Sequence, residues 1–252
     1  MQQAWFIAMG IYAVLIPVTW VAVTFLVAPY GRHHRAGWGP TLNTRWAWML
    51  WESPTVLAFL AFYLLGERAF QPVPLLLLGV WMVHYVDRTF LYPLRMRGRS
   101  RSPWLIVLTA VAYNLLNAFV NATWLTATGP SFGWEWLHTR RFACGIVLFV
   151  LGLVLNRHSD RILHRLRSSQ EPNPTYQVPQ GGLYRWVSCP NYLAEMVQWF
   201  GWAVLTWSPA GLAFFLYTVA NLAPRARTHH RWYQDRFPDY PRDRKALIPL
   251  LW

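Results

Sequence analysis

The chain has 252 residues and a formal net charge of +13, and 55% of its residues are hydrophobic, 17% aromatic and only 13% charged. A soluble globular domain carries about 25% charged residues, so this composition excludes an ordinary soluble enzyme and favours a compact membrane protein. The 17 tryptophans fit the aromatic belts of membrane–water interfaces, and the 22-to-1 excess of arginine over lysine favours a GC-rich bacterial source.

Seven apolar segments come close to the roughly 17–25 residues that a membrane-spanning helix needs. The first has no basic flank and no small-residue cleavage site, which predicts a retained span rather than a signal peptide. A tight turn at Trp207-Ser208-Pro209 joins the last two segments. We therefore predict an all-α integral membrane protein with one domain, residues 1–252. Its spans are expected at about 4–28, 46–65, 72–93, 104–126, 142–158, 190–206 and 209–223.

Basic residues are distributed unevenly between the two ends of these spans. Four alternate loops together hold 19 Lys and Arg residues, whereas the opposite loops hold three. Because cytosolic loops are enriched in Lys and Arg, we predict an external N-terminus and a cytosolic C-terminus. The expected location is the inner membrane of a bacterium, or the endoplasmic reticulum of a eukaryote. The basic loops are 29–45, 94–103, 157–189 and 224–252.

Polar and ionisable side chains lie within the spans or at their ends, toward the predicted cytosolic side. Such groups are costly at membrane depth and usually mark a binding or reaction site. On the fourth span, Asn114, Asn117 and Asn121 follow the i, i+3, i+7 spacing of one helical face. We therefore predict a single cavity that opens on the cytosol. The other polar groups are Glu52, Tyr85, Arg88, Asn156, Asp160 and Glu195.

The end of the fifth span permits two interpretations. Asn156 and Asp160 are one helical turn apart and could hold the hydroxyls or amide of a polar ligand, while Arg161, Arg165 and Arg167 could bind its phosphates bidentately. Alternatively, this segment is a juxtamembrane helix that attracts anionic lipid.

Two further segments lie near the sixth span. Pro179-Gln-Gly-Gly182 is a turn signal that could also present backbone N–H groups to phosphate. Asn191 and Glu195 share a helical face, and a glutamate at this depth indicates function. The chain has no glycine-rich nucleotide motif between a strand and a helix, which excludes a Rossmann domain. Any nucleotide must therefore bind to the membrane helices and their loops.

The basic tail that begins at Arg225 predicts an amphipathic helix that either lies on the membrane or closes the cavity. Its adjacent histidines, His229 and His230, point in different directions and lack a third ligand, as do His33 and His34. We therefore expect no metal site.

Read together, these residues resemble the steroid 5α-reductase (3-oxo-5α-steroid 4-dehydrogenase) family. The resemblance covers nearly the whole chain in order and is strongest after Asn156. The matching motifs are Tyr30-Gly31, Glu52-x-Pro54, His84-Tyr-x-x-Arg-Thr-Phe-x-Tyr92, Arg97-Gly-Arg99, Asn156-x-His-Ser-Asp-x-Ile-Leu163, Pro179-Gln-Gly-Gly-Leu183, His229-His-Arg-x-Tyr233 and Asp239-Tyr-Pro-x-x-Arg-Lys-Ala-Leu-Ile-Pro249.

The resemblance implies NADPH-dependent reduction of the Δ4 double bond of a 3-oxosteroid in a seven-span fold, with residues 142–252 mainly binding the cofactor. Glu52 and Tyr85 match the pair that polarises the carbonyl, with Glu52 neutral in its low-dielectric surroundings and Tyr85 donating its phenolic proton. The expected substrate contacts are Tyr30, Trp51, Tyr113 and Asn117. The residues expected to bind NADPH are Arg88, Arg99, Asn156, Asp160, Arg167, Tyr176, Asn191, Glu195, Arg225, His229 and Tyr233.

One position departs from the family pattern. Family members commonly have Gln directly before the glutamate, whereas this chain has Trp51, which is larger and donates a single hydrogen bond. Either the pocket is reshaped for a different enone or the acid is oriented differently.

Two other functions remain open at this point. Pro190-Asn-Tyr192-x-x-Glu195 also resembles the cofactor motif of isoprenylcysteine and phospholipid methyltransferases, which bind S-adenosylmethionine. A non-catalytic lipid or sterol carrier is the second alternative. In every case we expect a monomer in the bilayer that binds a steroid-like molecule and neither nucleic acid nor metal.

Overall fold

The computed structural model describes residues 1–27, 37–96, 100–166 and 176–252, and most of these residues are helical. Two short strands, β1 (Thr41–Asn43) and β2 (Arg101–Pro103), pair antiparallel with Leu42 opposite Ser102. The helices are α1 (Gln2–Phe25), α2 (Thr44–Glu52), α3 (Leu57–Leu64), α4 (Pro72–Val86), α5 (Tyr92–Arg95), α6 (Trp104–Thr123), α7 (Arg140–Leu166), α8 (Pro190–Thr206) and α9 (Pro209–Arg236).

All seven predicted segments are helical, and four helices in the described part of the chain are long and apolar enough to cross a membrane. The helices of the other three predicted segments are shorter or less apolar: α4 and α8 have 15 and 17 residues, and the second half of α9 is polar. The count of seven spans and the orientation stay predictions. The four helices are Gln2–Phe25, Thr44–Leu64, Trp104–Thr128 and Arg140–Leu166.

The second span is interrupted directly after Glu52, where a 3₁₀ turn (Ser53–Thr55) separates α2 from α3. Pro54 has no N–H to donate back to the Leu50 carbonyl, and the Ser53 hydroxyl donates to that oxygen instead at 2.8 Å. The Thr55 hydroxyl donates to the Glu52 carbonyl at 2.6 Å. Glu52 therefore ends a helix, with its backbone oxygen satisfied by a side chain.

A second irregularity places Arg88. The helix α4 widens into a π turn over Asp87–Leu91, where the Tyr92 N–H donates to the Asp87 carbonyl. Pro93 follows in the first turn of α5 and cannot donate the bond that a regular helix would require. Turns of this type occur frequently at functional sites.

The core is largely aromatic, although only five of the 17 tryptophans are buried and seven are exposed. That the exposed tryptophans form interfacial belts stays a prediction. Trp81, Trp199 and Trp202 are all buried, and the Trp81 ring stacks on Phe59 with 4.3 Å between ring centroids. Each buried indole N–H needs an acceptor: Trp81 donates to the Thr55 carbonyl at 2.8 Å. Tryptophan therefore builds the interior that supports the cavity.

Candidate active site

A cavity of about 470 Å³ lies among α2, α4, α6, α8 and α9. This volume falls within the range of about 300–1,000 Å³ that is usual for small-molecule and cofactor sites. Most of the residues predicted to bind or react line this one cavity. They are Trp51, Glu52, Tyr85, Arg88, Tyr113, Asp160, Asn191, Glu195, Arg225, His229 and Tyr233.

Arg88 is held from several sides. Its guanidinium forms ion pairs with Asp160 (Nη1 to Oδ2, 3.2 Å) and Glu195 (Nη2 to Oε2, 3.7 Å). The rings of Trp48 and Tyr92 lie 4.8 and 4.6 Å from the guanidinium carbon, within the range of a cation–π contact. This fixed positive charge stands between α4, α7 and α8.

Glu52 and Tyr85 line the same cavity from two helices. The Tyr85 ring stacks on Trp199 at 5.4 Å, and its hydroxyl has no hydrogen-bond partner among the described residues. A phenol available to a ligand therefore lines the same cavity as a carboxyl group.

The backbone and side chains behind this pair are fixed by buried hydrogen bonds. Gln198 and His84 are 2.8 Å apart (Nε2 to Nδ1) directly behind Tyr85 and Trp199. The Asn114 amide donates to the Trp51 carbonyl at 2.6 Å, which ties α6 to the end of α2.

The asparagine face of α6 does not meet the cavity in the way that its spacing predicts. Asn114 lines the cavity, but Asn117 is fully buried behind its wall, where its Oδ1 accepts from the Tyr12 hydroxyl at 3.1 Å and from Asn121 at 2.9 Å. Asn117 lies behind the cavity wall because α1 covers this part of the face, and its contact with the substrate stays a prediction. Tyr113 does line the cavity, and its hydroxyl oxygen is 2.7 Å from the hydroxyl oxygen of Tyr12.

In the C-terminal half, one hydrogen-bond chain joins α7 to α8. The Asn156 amide donates to the Asn191 carbonyl at 2.9 Å, and the Asn191 amide lies 3.4 Å from Asp160 Oδ1. Asn156 itself lines a smaller neighbouring crevice rather than the main cavity. Tyr176 is 45% exposed, packs on Trp232 and does not line the cavity. Direct contact of Asn156 and Tyr176 with the cofactor stays a prediction.

Three residues of the predicted site lie outside the described residues. They are Tyr30, Arg99 and Arg167.

Tyr184 was not predicted from the sequence, yet it lines the cavity. Its hydroxyl is buried without a hydrogen-bond partner among the described residues. Burial, followed by the nearby Asp160 carboxylate, raises the pKa of this phenol, so it stays a donor. A buried hydroxyl without a partner indicates a position where a ligand atom accepts. The preceding glycine pair was the only signal in the sequence.

That glycine pair forms a turn, with φ of +85° at Gly181 and +50° at Gly182. The buried Arg244 holds the turn by donating to the Pro179 carbonyl at 3.2 Å and to the Gln180 side chain at 3.3 Å. The extension of α9 beyond residue 223 contributes Arg225, His229 and Tyr233 to the cavity wall. The amphipathic tail therefore forms part of the cavity wall, and its role in closing the cavity stays a prediction.

The C-terminal residues are fastened to this extension through Ser188. Its hydroxyl oxygen lies 2.6 Å from His230 Nδ1 and 2.6 Å from the Tyr240 hydroxyl, and it donates to the Lys245 carbonyl at 3.1 Å. The Gln234 amide is 2.9 Å from His230 Nε2. This pattern is satisfied when His230 is neutral and carries its proton on Nδ1.

The attachment of the C-terminal residues is expected to weaken as the pH falls below about 6.5, the ordinary pKa of histidine. Burial, together with the charges of Arg244 and Lys245, lowers the pKa of His230. The folded protein therefore binds this proton less readily than the unfolded chain, and stability is lost as the pH falls from that value toward the lowered pKa. Proteolysis of residues 237–252, followed from pH 7.5 to pH 5, measures the loss.

A matched pair of variants isolates this effect. His230→Gln should remove most of the pH dependence of cleavage, whereas His138→Gln, at an exposed histidine elsewhere, should retain it. Equal pH dependence in both variants would rule out His230 as the titrating group.

Comparison with known proteins places these observations in context. Residues 100–252 match a family model described as 3-oxo-5-alpha-steroid 4-dehydrogenase. The chain is 43% identical to steroid 5-alpha-reductase DET2 of Gossypium hirsutum over 96% of this chain and 95% of that protein. It is 39% identical to 3-oxo-5-alpha-steroid 4-dehydrogenase 2 of Mus musculus (89% and 88% covered) and 35% identical to 3-oxo-5-alpha-steroid 4-dehydrogenase 1 of Bos taurus (93% and 91% covered).

Proposed function

This chain belongs to the 3-oxo-5-alpha-steroid 4-dehydrogenase family, an oxidoreductase family, and on that premise we propose that it reduces the Δ4 C=C bond of a 3-oxosteroid or a similar enone with NADPH. The observation that carries the proposal is that Glu52 and Tyr85 line one cavity together with Arg88 and its acidic partners. A carrier protein would not require an acid, a phenol and a fixed cation at one wall.

The proposed role of Glu52 and Tyr85 is to stabilise the negative charge that develops on the substrate carbonyl oxygen. Tyr85 donates its phenolic hydrogen, and a protonated Glu52 donates a second hydrogen bond. Arg88 already has Asp160 and Glu195 as acidic partners, so a third buried negative charge at Glu52 is poorly compensated. A phenol beside a protonated carboxylic acid also forms the oxyanion hole of ketosteroid isomerase.

NADPH, when bound, supplies the hydride that reduces the β carbon of the enone. The carbonyl donors withdraw electron density from the double bond, and a solvent-derived proton completes the reduction at the α carbon. The arrangement of donors at the carbonyl oxygen is where the protein contributes most to the rate.

The cavity residues fit a dinucleotide in charge and hydrogen bonding. Arg88 and Arg225 supply positive charge, and the Tyr184 hydroxyl and the Asn191 amide can donate to ribose or nicotinamide oxygens. Asn156 acts on the cofactor through Asn191, whose carbonyl it holds. We propose that the remaining cofactor contacts are Arg99, Asp160, Arg167, Glu195, His229 and Tyr233. The arginines favour a 2′-phosphate and hence NADPH over NADH.

We further propose the seven-span topology with an external N-terminus, a cytosolic C-terminus and a cavity that opens on the cytosol. The arginine-poor loops meet at one end, where Arg68 donates to the Gly129 carbonyl at 2.7 Å and Arg141 lies over the Trp207 ring at 4.2 Å. At the opposite end of the molecule, the basic residues that end α5 and α7 line one crevice. This separation supports the positive-inside assignment.

A spectrophotometric screen of NADPH oxidation with purified protein tests the function. We expect oxidation with 3-oxo-Δ4-steroids or with smaller enones, and the preferred size would report how Trp51 reshapes the pocket. Equilibrium binding of NADPH and S-adenosylmethionine should be measured side by side. Binding of S-adenosylmethionine alone would replace the reductase by a methyltransferase, and binding of steroid without NADPH oxidation would indicate a carrier.

A further inference from the structure

A second, smaller crevice of about 340 Å³ lies beside the main cavity, on the other side of the Arg88–Asp160 ion pair. Its walls come from the segment 84–95 and from residues 153–165 of α7. Two contacts of Arg157 join these walls: Arg157 donates to the Val83 carbonyl at 3.1 Å and pairs with Asp87 at 3.4 Å. These contacts fix the two walls of the crevice relative to each other.

The crevice carries an excess of positive charge. Five arginines and two aspartates line it. Asp87 is shared between Arg95 and Arg157, at 3.3 and 3.4 Å. Arg161, one turn further along α7, has no acidic partner among the described residues. The crevice can accept an anion without breaking an existing ion pair.

The face of α7 that leads to these arginines is apolar and exposed. Val147, Val150 and Val154 are 64%, 48% and 57% exposed. Their spacing of three and four residues continues directly into Arg157 and Arg161, so all five lie on one stripe of the helix. Val83 of α4, whose carbonyl accepts from Arg157, is also exposed, at 54%. One side of the molecule therefore changes from apolar to cationic within a single helical turn, about 5 Å.

We propose that this crevice binds the phosphate headgroup of an anionic membrane phospholipid. Arginine guanidinium groups bind phosphate bidentately and keep their charge when partly desolvated. The valine stripe contacts the acyl chains, while Arg157 and Arg161 hold the phosphate where the stripe ends. A free phosphate ion would make no contact with the apolar stripe, whereas the acyl chains of a lipid would, and this favours a lipid. Because Arg88 and Asp160 form the shared wall, the bound headgroup lies one ion pair away from the reaction cavity.

Native mass spectrometry of the full-length protein in detergent tests the site with phosphatidylglycerol and phosphatidylcholine of identical acyl chains. We expect the protein to retain phosphatidylglycerol about tenfold more strongly, and the double variant Arg157→Gln/Arg161→Gln to reduce this retention about tenfold, a difference of about 1.4 kcal/mol. Arg161→Gln alone, which leaves the Arg157–Asp87 pair intact, should show part of the loss. Arg236→Gln, at an exposed arginine of α9, is the matched control and should retain the lipid.

Two competitors decide between sources of phosphate. Inorganic phosphate at millimolar concentration should not displace phosphatidylglycerol; displacement would reduce the site to an ion site. Displacement of the lipid by NADPH would assign the crevice to the dinucleotide. Lipid retention by the double variant equal to that of the unaltered protein would also overturn the proposal. The readout is lipid mass on the folded protein, so it does not depend on whether the chain is a reductase.

Discussion

The Glu52→Gln and Tyr85→Phe variants are each expected to turn over an enone about 10²–10³ times more slowly than the unaltered protein, the usual cost of losing one oxyanion donor. Phenylalanine removes the Tyr85 hydroxyl and keeps the ring that stacks on Trp199. Glutamine keeps the shape of Glu52, but an amide is a far weaker acid than a carboxylic acid and stabilises less negative charge. Both changes act on the transition state more than on the bound substrate.

The measurement is kcat from NADPH oxidation, with NADPH binding determined separately for each variant. Because neither side chain is proposed to bind the cofactor, NADPH affinity should change little. Unchanged affinity would show that the variant is folded and that only catalysis is impaired. Two matched controls are Glu67→Gln, at an exposed glutamate, and Tyr63→Phe, which loses a hydrogen bond to the Ala69 carbonyl away from the cavity. Unchanged turnover in both active-site variants would refute the assigned roles.

The sequence predicted those features that depend on one helix at a time. Apolar length located the seven helical segments. Glu52, Tyr85, Arg88, Asp160 and Glu195, which come from four of these segments, line one cavity, as their similar predicted depths indicate. Depth follows from counting residues at about 1.5 Å each, and it requires no knowledge of neighbouring helices.

Features that depend on the neighbour of a helix were not predictable. Periodicity places Asn117 on the face of Asn114, but only the packed structure shows that Tyr12 of α1 covers Asn117 and leaves Asn114 at the cavity. Tyr184 lies in a loop without periodicity, and its position depends on the turn that Arg244 anchors. The burial of Trp81, Trp199 and Trp202 was not predictable for the same reason, because an indole fits either an interface or a core, depending on where its N–H finds an acceptor.

The close packing of α7 against α8 leads to the second large expected effect, destabilisation by Gly152→Ala. A methyl group at Gly152 would overlap the backbone of Gln198 and Ala194 on α8, and Gly145 and Gly201 face the same contact. Small residues at such positions allow membrane helices to approach closely. Relieving the overlap requires the helices to separate, and we expect a cost of about 1–3 kcal/mol.

The control is Gly79→Ala in α4, where an added methyl group meets nothing within 4 Å. There the higher helix propensity of alanine should be neutral or stabilising by up to about 1 kcal/mol. The midpoint of thermal unfolding in detergent should therefore fall for Gly152→Ala and stay unchanged or rise for Gly79→Ala. Equal shifts would mean that the glycine contact does not set the helix spacing. Gly152 lies one turn before Asn156, whose amide reaches the Asn191 carbonyl across the same interface at 2.9 Å. Gly152→Ala should consequently raise the KM for NADPH, because the spacing of two helices places the groups proposed to bind it.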